Sequence, residues 1–176
     1  TGKGGNNRGS YRAAEGRLML IYGCDPGFTG AVALYWTDTG KLEVHDMPVM
    51  KNPKGKSILN LHSLLDVFKN EADEKCMCII EQVASRPGQN SSAVFRFGQG
   101  FGQLQMAVAA NKLPVQYVTP AKWKKYFGLI GSDKNASRAI AMDRFPQESD
   151  LFKLAKHDGR AEAALLCLYA AENMIS

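Results

Sequence analysis

Two apolar runs joined through Asp-Pro-Gly constrain this chain more than any other stretch. Leu18 to Ile21 reads as a buried strand, and Ala31 to Trp36 as a second. Between them lies Tyr22-Gly23-Cys24-Asp25-Pro26-Gly27-Phe28-Thr29-Gly30. Proline fixes φ and glycine tolerates positive φ, so the chain reverses just after Asp25. Strands near 17–23 and 29–36 then pair antiparallel. Thr37-Asp38-Thr39-Gly40 is a second reversal signal, leading to a strand near 41–46. Asp25 is left at a strand end beside a tight turn, well placed to hold a metal ion. It equally suits a turn-forming role alone.

The rest of the chain alternates between the two periods of secondary structure. A loop with Pro48, Pro53, Lys51, Lys54 and Lys56 precedes a helix near 58–70, whose stripe is Ile58, Leu61, Leu64, Leu65 and Phe68. A strand at 76–82 follows, then a polar loop from Ala84 to Ser92. A helix spans about 93–111, a strand 114–118, and a helix starts after Thr119-Pro120. Another helix begins near Ser132, a plausible N-cap, and the last runs from about 158 to 174. Three antiparallel strands followed by two parallel ones predict an α/β fold, a mixed five-stranded sheet flanked by helices. The right-handed crossover rule lays the 93–111 helix over that sheet.

Three more carboxylates occur in suggestive places. Cys76-Met77-Cys78-Ile79-Ile80-Glu81 is an apolar strand that ends in an acid. Asp158 and Glu162 are four apart in the final helix and share a face. Acids from two strand ends and one helix face can meet at one point. Close like charges repel unless a cation lies between them, and magnesium is the usual partner of oxygen ligands. A paired-ion site activates water and stabilises the leaving oxygen of a phosphodiester. Each acid also has a plainer reading: a solvated strand end for Glu81, an N-cap for Asp158, an exposed ion pair for Glu162. A capping box would need an acid or amide at position 161, which is Ala, so it does not account for Glu162.

At 176 residues the chain suits one domain with a sizeable core, expected over 17–176. Residues 1–16 are rich in Gly, Asn and Arg and read as a flexible basic arm or a processed segment. Net charge is +5, but Lys3, Arg8, Arg12 and Arg17 against Glu15 carry three of those charges. Any basic patch is therefore local. Lys122, Lys124, Lys125, Lys134 and Arg138, opposed only by Asp133, form the best candidate. Such a patch binds phosphates or is simply a solvated helix face. No apolar run is long enough to span a membrane. The four cysteines lack paired Cys-x-x-Cys units, which argues against zinc and for reduced thiols in a cytosolic, nuclear or organelle interior.

Phe95-Arg96-Phe97-Gly98-Gln99-Gly100-Phe101-Gly102 is an unusual way to build a helix. Each glycine weakens a helix by about 1 kcal/mol against Ala. Gly98 and Gly102, four apart, let another backbone approach, either the sheet below or the same helix of a second subunit. A phosphate-cradling loop is a weaker reading, since no Lys-Ser/Thr follows.

With these residues in hand, the chain resembles the RuvC-type Holliday junction resolvases of the ribonuclease H-like superfamily, over roughly Arg17 to Asn173. The likeness rests on Gly23-x-Asp25-Pro26-Gly27, Ile79-Ile80-Glu81-Gln82, and Asp158 with Glu162-Ala163. Phage and chloroplast junction resolvases are the nearest in kind. They look similar in Phe97-Gly98-x-Gly100-Phe101-Gly102, in Trp123-Lys124-x-x-Phe127-Gly128-Leu129, and in Gly159-Arg160-Ala161-Glu162-Ala163. The resemblance implies a ribonuclease H-like sheet and a homodimer that nicks a four-way DNA junction symmetrically, in recombination and repair. It implies that Asp25, Glu81, Asp158 and Glu162 bind two Mg2+ ions, for which Mn2+ substitutes. Lys124 and Lys134 then face the scissile phosphate or the junction arms. The implied DNA contacts are Arg86, Gln89, Asn90, Arg96, Lys122, Lys124, Lys125, Lys134 and Arg138, with Gly98, Phe101 and Gly102 at the dimer interface. The bacterial pattern spaces its helix acids by three, whereas here the spacing is four, which leaves open whether His157 or Asp158 points at the metals. A chloroplast, another organelle, or a bacterial or phage-infected cytoplasm is the implied setting. Two other classes fit parts of the sequence: a non-catalytic junction-binding module on the same fold, and an actin-like nucleotide-binding kinase fragment, through Asp25-x-Gly27-x-Thr29.

Overall fold

The computed structural model describes residues 19–69, 75–85 and 87–174. The expected N-terminal arm, residues 1–16, and Arg86 lie outside the described residues. A five-stranded sheet is built from β1 (Leu20–Asp25), β2 (Ala31–Trp36), β3 (Leu42–Asp46), β6 (Cys76–Glu81) and β7 (Val115–Val118). Its order is β3-β2-β1-β6-β7. The first three strands are antiparallel, and β6 and β7 join in parallel. This is the expected mixed sheet.

The two-residue period of a strand sorts side chains to opposite faces. Leu20, Tyr22 and Cys24 of β1 and Cys78 and Ile80 of β6 share one core. The helices on that face are α1 (Leu61–Val67), through Leu64, and α2 (Ser91–Ala110), through Leu104, Ala107 and Val108. Ile21 and Ile79 belong to the opposite core, with Trp123 of α3 (Pro120–Tyr126), Ala141 of α4 (Lys134–Arg144) and most of α5 (Asp158–Asn173). By the same parity Asp25 and Glu81 fall on the α5 face.

Helix α5 lies unusually close to the sheet, and two glycines make that possible. A Cβ at Gly23 would stand 2.3 Å from the Ala163 carbonyl oxygen and 2.7 Å from Cys167 Sγ. One at Gly159 would meet the Thr29 carbonyl oxygen at 2.6 Å and Asp25 Oδ2 at 2.9 Å. The first turn of α5 is also tied to the end of β3. Arg160 donates from Nε and Nη2 to the two oxygens of Asp46, at 2.6 and 2.7 Å.

Three local expectations change. The lysine-bearing segment expected as loop contains a hairpin, β4 (Val49–Lys51) with β5 (Ser57–Leu59). Its turn is held by Asn52 Oδ1, which accepts from the backbone N–H groups of Lys54 and Lys56. Helix α1 starts after Asn60, which caps it through the Ser63 N–H, so Ile58 is a strand residue. The N-cap of α4 is Asp133 rather than Ser132; its carboxylate accepts from the N–H groups of Asn135 and Ala136.

Candidate metal centre

Asp25 is the last residue of β1, and Glu81 the last of β6. The parallel register pairs Gly23 with Ile79 and Cys24 with Ile80, so the two strands deliver their terminal acids side by side. Glu162 projects from α5, pressed onto the same place by Gly23 and Gly159. One ligand atom from each of Asp25, Glu81 and Glu162 lies within 4.8 Å of the others. The electrostatics match that crowding. Burial, then the Glu162 and Glu81 charges, hold the Asp25 carboxyl well above the usual range, and Lys124 only partly offsets this. Burial also raises Glu81, while a hydrogen bond from Trp123 pulls it down.

Three converging acidic oxygens suit a hard divalent cation. Two groups from α3 reach the cluster from its side. Trp123 Nε1 donates to Glu81 Oε1 at 2.9 Å, and Lys124 Nζ to Glu162 Oε1 at 3.1 Å. Lys124 was expected from the sequence. Trp123 was not, because nothing in its spacing shows where an indole N–H will end.

Asp158 stands apart from this trio. It opens α5 and lies 3.1 Å from Arg138 Nε through Oδ1. The two atoms are close but not aligned as a hydrogen bond, and both are buried without another partner. Arg138 also donates to the carbonyls of Phe152 and Lys153 and to Asn135 Oδ1. It is thus largely engaged within the protein. His157 precedes the helix and accepts at Nδ1 from the Leu154 N–H. Burial, followed by the nearby Arg160 and Lys156 charges, lowers its pKa.

The other expected DNA-binding residues divide into two groups. Lys122 and Lys125 are exposed on α3. Lys134 opens α4, and its side chain lies outside the described residues. Asn90 caps α2, accepting from the Ala93 N–H. Arg96 lies over the Phe28 ring, 5.3 Å from its centroid, and reaches the Ser57 carbonyl oxygen. A groove is lined by Phe28, Ala84, Ser85, Gln89, Arg96 and Phe101 among others.

On α2 the glycines are not where the sheet is. Among the described residues, a Cβ at Gly98 or Gly102 would meet nothing within 4 Å. Phe95 and Met106 are 74% and 64% exposed. Phe101 stacks on Phe97 with centroids 6.4 Å apart and packs, partly buried, against the core. Among the described residues no helix is long and apolar enough to cross a membrane.

No family model and no curated protein sequence matches the chain. Solved structures do. Thermus thermophilus RuvC in complex with a Holliday junction substrate is 15% identical, aligns with a TM-score of 0.51, and covers 88% of this chain and 96% of its own. A second structure of Thermus thermophilus RuvC gives 17% identity, the same TM-score and the same coverage. The fowlpox virus Holliday junction resolvase is 21% identical over 89% of this chain and 99% of its own, with a TM-score of 0.41. The fold shared with RuvC is the ribonuclease H-like fold, with the sheet order and mixed strand directions described above.

Proposed function

We propose that this ribonuclease H-like chain is a metal-dependent endonuclease that resolves four-way DNA junctions as a homodimer. The observation that carries the reading is the trio of Asp25, Glu81 and Glu162, converging on the open ends of β1 and β6. A merely structural cluster would gain nothing from burying like charges without a cation between them.

In this reading Asp25, Glu81 and Glu162 hold Mg2+, with Mn2+ as a substitute. Asp158 serves a second ion by giving up its imperfect contact with Arg138. Such ions, when bound, activate water and stabilise the leaving 3′-oxygen of a phosphodiester. The chain's own residues do the rest. Asp25 and Glu81 are fixed by strand pairing, so little rearrangement is needed when DNA arrives. Lys124, half-buried against Glu162, sits where it can offset charge on the phosphate in the transition state. Lys122 and Lys125 extend that positive face toward the backbone of an arm, and Lys134 belongs to the same set by its place in the sequence. The groove with Phe28, Arg96 and Gln89 is suited to bases near the cut, since aromatic faces stack and polar groups donate. The open glycine face of α2, flanked by Phe95 and Met106, is the dimer surface. A two-fold axis there puts two sites on one junction, as symmetric nicking requires.

The deciding experiment is cleavage of a synthetic four-way junction. Paired nicks with Mg2+, absent with EDTA and absent in Asp25→Asn, are expected. Tight junction binding without metal-dependent nicking would favour a binding module instead.

A further inference from the structure

Helix α3 touches two of the three clustered acids through consecutive residues, and it does so in two different ways. Lys124 meets Glu162 with a full charge, whereas Trp123 meets Glu81 with a neutral N–H. An indole has one donor and no acceptor, so its only polar act is to hold an oxygen. Trp123 is fully buried and packed in the α5 core, and Glu81 is buried as well. Water is therefore a poor competitor for this bond. A donor on Oε1 restrains how the carboxylate can turn and still leaves it lone pairs for a cation. Because the donor is neutral, it orients Glu81 without cancelling the charge that a cation needs. Lys124 does the reverse at Glu162, lowering the repulsion among the acids and competing with any cation that enters.

We propose that Trp123 is a positioning residue for the Glu81 ligand, and that α3 presets the metal centre by orienting one acid with a dipole and quieting another with a charge. The assignment rests on the cluster being a divalent-cation site. Outer partners of metal ligands commonly affect affinity by about 10- to 100-fold.

The test separates the N–H from the bulk of the ring. In a Trp36→Phe chain, Trp123 is the sole tryptophan. Replacing it there with β-(3-benzothienyl)alanine keeps the shape and removes the donor. Calorimetric titration with Mn2+ should show roughly tenfold weaker binding than the Trp36→Phe parent, with a cooperative melting transition retained at a somewhat lower temperature. In a Glu81→Ala background the same replacement should cause no further loss. The indole N–H resonance of the parent should move on Glu81→Ala and again on metal addition. Equal Mn2+ affinity with and without the N–H would overturn the assignment. If the parent binds no divalent cation, the metal reading of the cluster fails. The resonance then decides alone: a shift on Glu81→Ala upholds the positioning contact, and no shift removes it.

Discussion

Helices α5 and α2 cover opposite faces of the same sheet, and both are rich in small residues, yet they use them differently. Ten of the sixteen residues of α5 are buried. Ala163 and Cys167 face Gly23, and Gly159 faces the β1–β2 turn, with no space to spare. Of the twenty residues of α2, only Leu104, Ala107 and Val108 are buried. Gly98 and Gly102 face open space there. On α5 close approach is satisfied within the chain and fixes where Glu162 stands. On α2 the helix accepts the cost of Gly98 and Gly102 with no close contact among the described residues to offset it. A small residue is therefore not a packing signal until its partner is known, and for α2 the partner we propose is a second copy.

The strongest way to break the comparison is at the α5 site. Asp25→Asn is expected to lower Mg2+-dependent junction cleavage by about ten-thousandfold or more, the scale of losing one member of a catalytic set. Junction affinity should persist or rise, because a repulsive charge near phosphates is gone. A gel-based nicking assay beside a binding titration checks both. Next comes the α2 face. Gly102→Leu should shift the protein toward monomer in sedimentation and uncouple the two nicks, with circular dichroism unchanged. A dimer that still cuts in pairs would move the interface off α2.

Two glycine-to-alanine changes sharpen the contrast. Gly23→Ala drives a methyl into α5 and should cost about 1–3 kcal/mol, the usual penalty of overpacking. Gly98→Ala enters open space and should leave the folded monomer as stable or more so, by up to about 1 kcal/mol. Urea melts of both variants, at a concentration where the chain is monomeric, give the comparison directly.

The smallest expected effect is a pH dependence. Asp25 and Glu81 titrate higher when folded than unfolded. Between those values the folded state binds more protons, so stability without metal should fall as pH rises from the unfolded carboxylate range through the folded pKa values. Mg2+ should restore stability increasingly across that interval. Thermal melts from acid to neutral pH, with and without Mg2+, test the sign. Asp25→Asn should flatten the curve.

Much of this was legible in the residues. Period-two alternation places Asp25 and Glu81 on one face, and the Asp-Pro-Gly reversal fixes the first strand pair. Other features are tertiary and leave no local trace. The indole of Trp123 looks like core packing until Glu81 is found at its N–H. Arg138 reads as a phosphate binder, and only the packing of α4 beside α5 reveals Asp158 as its neighbour. The β4–β5 hairpin was hidden because Pro53 and the lysines read as loop, while strand pairing depends on Asn52 organising the turn. Asp133 displaces Ser132 as the cap because it is one residue nearer the first helical turn and accepts from two N–H groups there.

The three acids also have a consequence for biosynthesis. They arrive from strands and a helix far apart along the chain; the Cys167 thiol beside them reaches the Ile21 carbonyl across 146 residues of sequence. Contacts of such long range carry a loop-closure cost that slows folding. A nascent or partly folded chain carries Asp25 with neither Glu81 nor Glu162 beside it. On the proposed reading, the chain cannot cut DNA until its last helix docks.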